Sequence, residues 1–253
     1  MSMLAVAKAD TSTLSTMDNV IQFPTKEKTT RRSTRMWCLK SRDEILAVFN
    51  VFNKALEDAS TSKQHTIALR NLTMFVCAIN IGLRGGDFCS LKWSDIYDDN
   101  WNFRKEDADF VPEKTKRCGK HIVLTWNSDF EHAMSEWLNW NRSIVNEQTL
   151  DDYIFTTRRN SYNGKKIEHI SEDAWYRIVE KTRKEAGIKQ KIGTHGLRKT
   201  MANQYITRAK DQSKALREVS TMFGHADLRT TEVYSCLDDQ EVRKNKENLS
   251  FLY

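Results

Sequence analysis

The chain has 253 residues, with 40 Lys and Arg against 34 Asp and Glu, and its formal net charge of +6 points toward a polyanionic partner without identifying one. Because it holds only 2 Pro and 9 Gly, the composition disfavours turn-dense β-sandwiches, collagen-like repeats and Pro/Gly-rich disorder, and it favours helices. The 5 cysteines form no CxxC pair and no apolar run approaches the roughly 20 residues of a membrane span, so we expect a cytoplasmic protein without a disulfide framework, zinc site or membrane segment.

Residues 1–40 have the composition of a flexible N-terminal arm. They are rich in Ser, Thr, Lys and Arg and show no sustained period of 2 or 3.6 residues. Their basic residues could lie along a phosphate backbone. These residues are Lys26, Lys28, Arg31, Arg32 and Arg35. A solvated disordered tail is an alternative interpretation of the same composition.

Helices are predicted on both sides of Arg84. The four residues 41–44, Ser-Arg-Asp-Glu, have the form of a capping box, and apolar residues follow them at helical spacing. A second helix is predicted over 64–80, because a broad apolar face ends shortly before Gly82. A short helix is predicted over 87–91, which places Arg84 between a helix end and the next helix.

The middle of the chain predicts a β-hairpin with a basic tip. Strand-like residues at 110–111 and 121–124 flank a turn formed by 116–119, Lys-Arg-Cys-Gly. Helical character returns over 128–145, and a further strand is predicted at 153–155.

The remainder is predicted to be helical. Ser171 caps a helix whose end is marked by Gly187, and the last third of the chain predicts three or four further helices. The expected fold class is therefore mainly α with a small antiparallel β-sheet, an α+β fold.

Four separated segments carry residues that suggest chemistry. They are 82–87 (Gly-Leu-Arg-Gly-Gly-Asp), the basic hairpin, 194–200 (Thr-His-Gly-Leu-Arg-Lys-Thr) and 223–234, which begins Phe-Gly-His and ends in Tyr234. Each has a structural explanation when taken alone. His195 and Arg198 share one helical face at i, i+3 and could pair, and Arg84 could satisfy carbonyl oxygens at a helix end. The occurrence of all four segments in one chain is far less expected by chance than the occurrence of any one of them.

The combination resembles the tyrosine recombinase (phage integrase) family, whose members share an arginine after Gly-Leu, a hairpin lysine, an HxLR segment and a Gly-His followed nine positions after the histidine by a tyrosine. The similarity extends over residues 41–250 and implies the tyrosine recombinase catalytic-domain fold over 41–253. It also implies a site-specific DNA recombinase that cleaves and rejoins DNA through a 3′-phosphotyrosyl intermediate, to integrate, excise or invert a segment. Because few residues precede the first helix, we expect a short member without a separate core-binding domain.

The resemblance implies roles for the residues that match the family's motifs. Tyr234 is the expected nucleophile, and Arg84 and Arg198 are expected to clamp the phosphate oxygens with their planar guanidinium groups. A hairpin lysine is expected to protonate the leaving 5′-oxygen. Its position relative to the second strand favours Lys116, with Lys114 as the rival.

Two histidines complete the implied catalytic set. His195 is expected to help move the proton of the nucleophile, and His225 to donate a hydrogen bond to the phosphate. The chemistry needs neither a metal nor a cofactor.

Two positions depart from the family's pattern. Asp87 stands where the family often has glutamate, and it either orients a neighbouring catalytic group or is only structural. Lys199 replaces a frequent histidine or arginine, which leaves a cation beside the site that could contact DNA.

The implied partners are double-stranded DNA and further copies of this chain, assembled as a tetramer on two DNA sites. The C-terminal tail, 238–253, ends in the apolar residues Leu249, Phe251, Leu252 and Tyr253. We expect this tail to dock in trans on a neighbouring subunit, with packing in cis as the alternative.

Two other functions fit the same motifs. A type IB topoisomerase-like enzyme would nick and reseal one strand without exchange. A catalytically idle regulator would keep the fold and bind DNA, although such a module gains nothing from a complete catalytic set.

Overall fold

The computed structural model describes residues 36–104, 108–145, 147–157, 168–225, 231 and 246, which belong to one compact unit, Arg35–Tyr253. This part of the chain is helical apart from a small antiparallel sheet, which confirms the predicted fold class. None of the helices described is long and apolar enough to cross a membrane. The helices are α1 (Arg42–Glu57), α2 (Ser62–Ile81), α3 (Gly85–Cys89), α4 (Ser128–Ile144), α5 (Glu172–Glu185), α6 (Thr194–Arg208) and α7 (Gln212–Met222).

The first two helices begin and end where local chemistry sets their limits. Ser41 Oγ accepts the Glu44 N–H at 3.1 Å while the Glu44 carboxylate accepts the Ser41 N–H at 3.2 Å, so the predicted capping box is present. A second capping box, formed by Thr61 and Gln64, starts α2. Gly82 ends α2 in the left-handed conformation with φ of 68°, which a residue with a Cβ rarely adopts.

The main core surrounds α2, which contacts α1, α4 and α6. Phe75 on α2 is fully buried, and the Phe52 ring of α1 lies between it and Trp175 of α5, with centroid distances of 5.3 and 6.2 Å. Trp137 of α4 closes the core and donates its indole N–H to the Ile154 carbonyl at 2.9 Å. Burial of each large side chain contributes on the order of 2 to 3 kcal/mol.

A second, smaller apolar cluster joins α6 to α7. Its buried members are Ala202, Ile206, Ala215, Val219 and Phe223. This cluster fixes the end of α7, and with it His225, relative to α6.

The hairpin forms as predicted, but its strands are shorter and its tip is helical. Strand β1 (Asp109–Phe110) pairs antiparallel with β2 (Ile122–Val123), with Asp109 opposite Val123. Between them Glu113–Cys118 forms a 3-10 helix that ends at Gly119 with φ of 59°. Pro112, which precedes the 3-10 helix, has no N–H to extend the strand ladder, and this explains the early end of β1.

The predicted strand at 153–155 does not form. Tyr153 makes only an isolated bridge with Lys92, because the chain enters a 3-10 helix, Trp93–Asp95, immediately after Lys92. The backbone N–H groups of Trp93 and Ser94 bond instead to the carbonyls of Asp152 and Leu150.

Candidate active site

Arg84 lies at the corner between α2 and α3. Its backbone is extended, with φ of −66° and ψ of 150°, and it is the residue that precedes the first turn of α3. The guanidinium lies 3.8 Å from the Asp87 carboxylate, and 29% of the side chain remains exposed. Arg84 is therefore oriented by the protein on one side and accessible to a substrate on the other.

Asp87 is buried and connects this corner to the hairpin. One carboxylate oxygen accepts the backbone N–H of Glu113 at 2.9 Å, while the other faces Arg84. The carboxylate therefore positions both Arg84 and the start of the 3-10 helix, which supports a positioning role in addition to a structural one.

Arg198 is buried at the centre of the site, with 2% of its surface exposed. Its Nη1 donates to the Gly82 carbonyl at 2.8 Å and its Nη2 to the Phe223 carbonyl at 3.4 Å. The guanidinium also lies 3.7 Å from the centroid of the Phe223 ring, within cation–π range. One side chain thus joins the end of α2, α6 and the end of α7.

His195 is on the first turn of α6 and keeps an exposed face. Burial of the rest of the ring, together with the charges of Lys199, Arg198 and Arg84, lowers the pKa of His195 to about 4. The imidazole is therefore neutral near pH 7 and can accept a proton.

His225 follows α7 and lies beside Arg198. Burial, followed by the charges of Arg198, Arg84 and Lys120, lowers the pKa of His225 to about 4 as well. Its Nε2 is 3.4 Å from Arg198 Nη2 and its Nδ1 is 2.8 Å from Thr231 Oγ1. Because arginine can only donate, Nε2 is the acceptor and Nδ1–H donates to Thr231. In this tautomer Nδ1 carries the ring proton and Nε2 carries none. The expected hydrogen bond from Nε2 to a phosphate therefore requires the other tautomer.

The hairpin lysines occupy different environments. Lys114 is exposed, and Lys116 is 69% exposed at its side chain, where its ammonium lies 3.5 Å from the Glu113 carboxylate. Lys120 is partly buried and donates to the Gly224 carbonyl at 2.7 Å.

Lys120 is a residue that the sequence interpretation missed. The alternation of the following strand could have indicated it. Ile122 is buried and Val123 is exposed, and residue 120 is two positions before Ile122, on the same inward face. That face packs against Gly224, where an added Cβ would lie 3.1 Å from Ile122 Cγ2 and 3.5 Å from Lys120 Cε.

Glu172 is a second residue that carried no expected role at the site. Its carboxylate accepts the Thr194 hydroxyl at 3.0 Å and so ties the start of α5 to the start of α6. A Cβ on Gly85 would lie 2.9 Å from Thr194 Cβ and would displace the Glu172 carboxylate, so the glycine favours the close approach of α3, α5 and α6.

Lys199 lies beside the site but away from the surface. It is 3% exposed, and its ammonium donates to the Met36 carbonyl at 3.0 Å. The expected contact of Lys199 with DNA would need an exposed ammonium, and the structure buries this one.

The structure thus brings together five of the residues with expected roles, and Lys120 with them. The five are Arg84, Asp87, His195, Arg198 and His225. Tyr234 lies outside the described residues, as do the tail residues 247–253 and the five basic residues of the arm, Lys26, Lys28, Arg31, Arg32 and Arg35.

Comparison with known proteins identifies the family of the chain. The family model "Phage integrase family" matches residues 49–241. The tyrosine recombinase XerC of Shewanella sp. strain ANA-3 is 30% identical over 182 residues, covering 72% of this chain and 53% of that protein. The chain covers less than two thirds of the length of the first curated relatives it matches.

Two solved structures share the fold. A crystal structure of the XerA recombinase matches with a TM-score of 0.58 and 21% identity, covering 88% of this chain and 68% of that one. The XerH site-specific recombinase bound to its palindromic difH substrate matches with a TM-score of 0.56 and 20% identity, covering 85% and 53%. The arginine and histidine cluster lies within the region that the family model matches, and the chain belongs to the phage integrase family, the tyrosine recombinases.

Proposed function

We propose that this protein is a site-specific DNA recombinase that cleaves and rejoins DNA through a phosphotyrosyl link to Tyr234. The observation that carries the proposal is the cluster in which His225 Nε2 lies 3.4 Å from Arg198 Nη2, with His195 on the same helix as Arg198 and the partly exposed Arg84 held beside Asp87. The XerH neighbour bound to its difH substrate supports DNA as the partner.

The proposed cleavage step balances in bonds and protons. The Tyr234 oxygen attacks the phosphorus, the bond from phosphorus to the 5′-oxygen breaks, and a 3′-phosphotyrosyl link conserves the bond energy. The tyrosine proton passes to neutral His195, and a hairpin lysine protonates the 5′-oxygen. Rejoining is the reverse reaction with the 5′-hydroxyl of another strand.

The charges of the site suit the negative charge that develops in this step. The partly exposed Arg84 can contact the non-bridging oxygens directly, and the buried Arg198 supplies a second, pre-positioned guanidinium. A bound phosphodiester adds negative charge next to His195, which raises the affinity of the imidazole for a proton at the moment it is needed.

We assign the general acid to the hairpin. Lys116 remains the proposed acid and Lys114 its rival, because both are exposed at the tip and can reach a bound strand. Lys120 is already bonded to Gly224, so we assign it the role of anchoring the hairpin against the segment that carries His225.

Trapping of the covalent complex tests the function. Covalent protein–DNA complexes that survive detergent are selected from a pool of random-sequence duplexes, and the recovered site is rebuilt with a nick that prevents rejoining. The wild-type protein should accumulate as a covalent complex, and Tyr234→Phe should bind the same DNA without trapping. Covalent trapping of Tyr234→Phe would show that another residue is the nucleophile.

Two companion assays separate the two alternative functions. Relaxation of a supercoiled plasmid that lacks the selected site would favour a type IB topoisomerase-like enzyme. Recovery of a specific site by selection for non-covalent binding, with no covalent complex formed by the wild type on that site, would favour an idle DNA-binding regulator.

We further propose assembly as a tetramer on two DNA sites, with the apolar tail end docking in trans. Removal of 248–253 should then abolish tetramers on DNA in analytical ultracentrifugation while monomer binding persists. Unchanged assembly would instead favour docking in cis.

A further inference from the structure

A short segment before α1 is packed along the catalytic helix α6. We call residues 36–40 the strap. Cys38 and Leu39 within it are buried, with 4% and 0% of their surfaces exposed. A Cβ on Gly196 would collide with the Trp37 carbonyl, so the glycine next to His195 is what allows the strap to approach the helix. The strap therefore forms part of the support of the active site.

Side chains of α6 hold the backbone of the strap at three points. Lys199 donates to the Met36 carbonyl at 3.0 Å, Thr200 accepts the Leu39 N–H at 2.9 Å, and Gln204 donates to the Lys40 carbonyl at 2.7 Å. The Trp37 N–H also bonds to the Lys191 carbonyl, just before the helix, at 2.9 Å. These bonds fix the rotation and the position of the first three turns of α6 along the strap.

Lys199 is the charged member of this set. Burying an ammonium group is costly unless it is hydrogen-bonded, and at 3% exposure its bond to Met36 is part of what makes the burial tolerable. Lys199 also follows His195 by four residues on α6, which places the two side chains on one face of the helix, and its charge acts on the protonation of the imidazole. One side chain thus links the strap to the histidine that the proposed mechanism uses as a proton acceptor.

We propose that Lys199 is a positioning residue for the recombination reaction: its buried ammonium fixes the strap to α6, the helix that carries His195, and separately acts on His195 as a neighbouring positive charge. The expected effect of Lys199 on cleavage rests on the proposed function. The effects of Lys199 on the strap and on His195 can be measured without DNA.

Several charged groups face His195, and the effect of Lys199 must be separated from theirs. Lys199 and Arg198 approach from α6 itself, Arg84 from the corner of α2 and α3, and His225 from beyond α7. On α5, the Glu172 carboxylate bonds to the neighbouring Thr194. Changing Lys199 alone leaves all of these in place.

The experiment compares Lys199→Met, Lys199→Arg and Thr200→Val in the full chain. The pKa of His195 is read from the NMR titration of its ring carbon, assigned with His195→Gln, and the strap is read from hydrogen exchange of the Trp37 and Leu39 amides. Lys199→Met removes a cation near the imidazole, so the His195 titration should move toward higher pH by about one unit and the strap amides should exchange faster. Lys199→Arg keeps the charge and should keep the titration near its wild-type position.

Thr200→Val is the matched control, because it loosens the strap without changing any charge. It should speed exchange at Leu39 and slow covalent cleavage, while the His195 titration and the acid limb of the pH–rate profile stay in place. In Lys199→Met the acid limb should shift upward with the titration. If Lys199→Met does not fold, Lys199→Gln, whose amide can still donate to Met36, provides the neutral variant.

The outcomes distinguish this inference from the proposed function. An unchanged His195 titration in the neutral variant would overturn the positioning role. A loss of covalent cleavage in Lys199→Arg equal to that in Lys199→Met would also overturn it. A wild-type protein that never cleaves DNA would overturn the proposed function, while the titration and exchange measurements would still decide the role of Lys199.

Discussion

The carboxylate of Asp87 accepts the backbone N–H of Glu113 at 2.9 Å, across 26 positions of sequence. The other oxygen of the same buried carboxylate faces Arg84 at 3.8 Å. Arg84 and the hairpin are therefore held by one side chain, so a displacement of the hairpin is transmitted to the guanidinium that is expected to contact the phosphate.

Asp87→Asn should separate the two roles of this carboxylate. The amide oxygen can still accept the Glu113 N–H, whereas the charge next to Arg84 is lost, so we expect covalent cleavage to fall about tenfold with little change in stability. Asp87→Ala removes both interactions and should also lower the free energy of unfolding by about 1 to 3 kcal/mol. Urea unfolding and suicide-substrate cleavage measure the two effects, and equal cleavage by Asp87→Asn and wild type would assign Asp87 a structural role only.

The two arginines should differ in what they contribute to stability. Arg198 is 2% exposed and bonds to the Gly82 and Phe223 carbonyls, so Arg198→Lys, which cannot reproduce the forked geometry, should lower the free energy of unfolding by about 2 kcal/mol. Arg84→Lys changes a partly exposed side chain and should leave the melting temperature nearly unchanged. Both variants should cleave DNA more slowly than wild type. A loss of stability in Arg84→Lys as large as in Arg198→Lys would contradict the assignment of Arg84 to substrate contact.

Local features of the fold were predictable because their causes are local. The capping box of Ser41 and Glu44 and the left-handed Gly82 each depend on a few neighbouring residues, so the sequence pattern was sufficient to predict where α1 begins and α2 ends. The family motifs likewise identified Arg84, His195, Arg198 and His225, which the structure brings together.

The features that were missed depend on contacts between distant parts of the chain. The burial of Lys199 follows from the Met36 carbonyl, 163 positions away, and the contact of Lys120 follows from Gly224, 104 positions away. Neither partner is visible in a local pattern. The absence of a strand at 153–155 has the same origin, because the early 3-10 turn of the partner segment, Trp93–Asp95, limits the pairing.

The two histidines should make the protein less stable in mild acid. Their pKa values are lowered to about 4 in the folded protein, against about 6.5 in an unfolded chain, so the unfolded state binds more protons between these values. Their contribution to stability is therefore fully present above pH 6.5 and is lost progressively as the pH falls toward 4. Urea unfolding from pH 7 to pH 4.5 should show a smaller decline in His195→Gln and His225→Gln than in wild type. Identical slopes in all three proteins would show that these imidazoles are not held neutral by the fold.

The hairpin lysines can be distinguished by the leaving group of the substrate. A 5′-bridging sulfur leaves without needing a proton, so it restores cleavage only where the missing group is the general acid. Lys116→Ala should cleave the ordinary site slowly, by a factor on the order of 100 or more, and the sulfur-containing site at nearly the wild-type rate.

Lys120→Ala is the control for this test, because Lys120 anchors the hairpin to the Gly224 carbonyl rather than reaching for the leaving oxygen. It should slow both substrates to a similar degree, since a displaced hairpin affects the site whichever atom leaves. Rescue of Lys114→Ala in place of Lys116→Ala would assign the acid to Lys114. Rescue of Lys120→Ala would show that its bond to Gly224 is exchanged for the leaving oxygen when DNA binds.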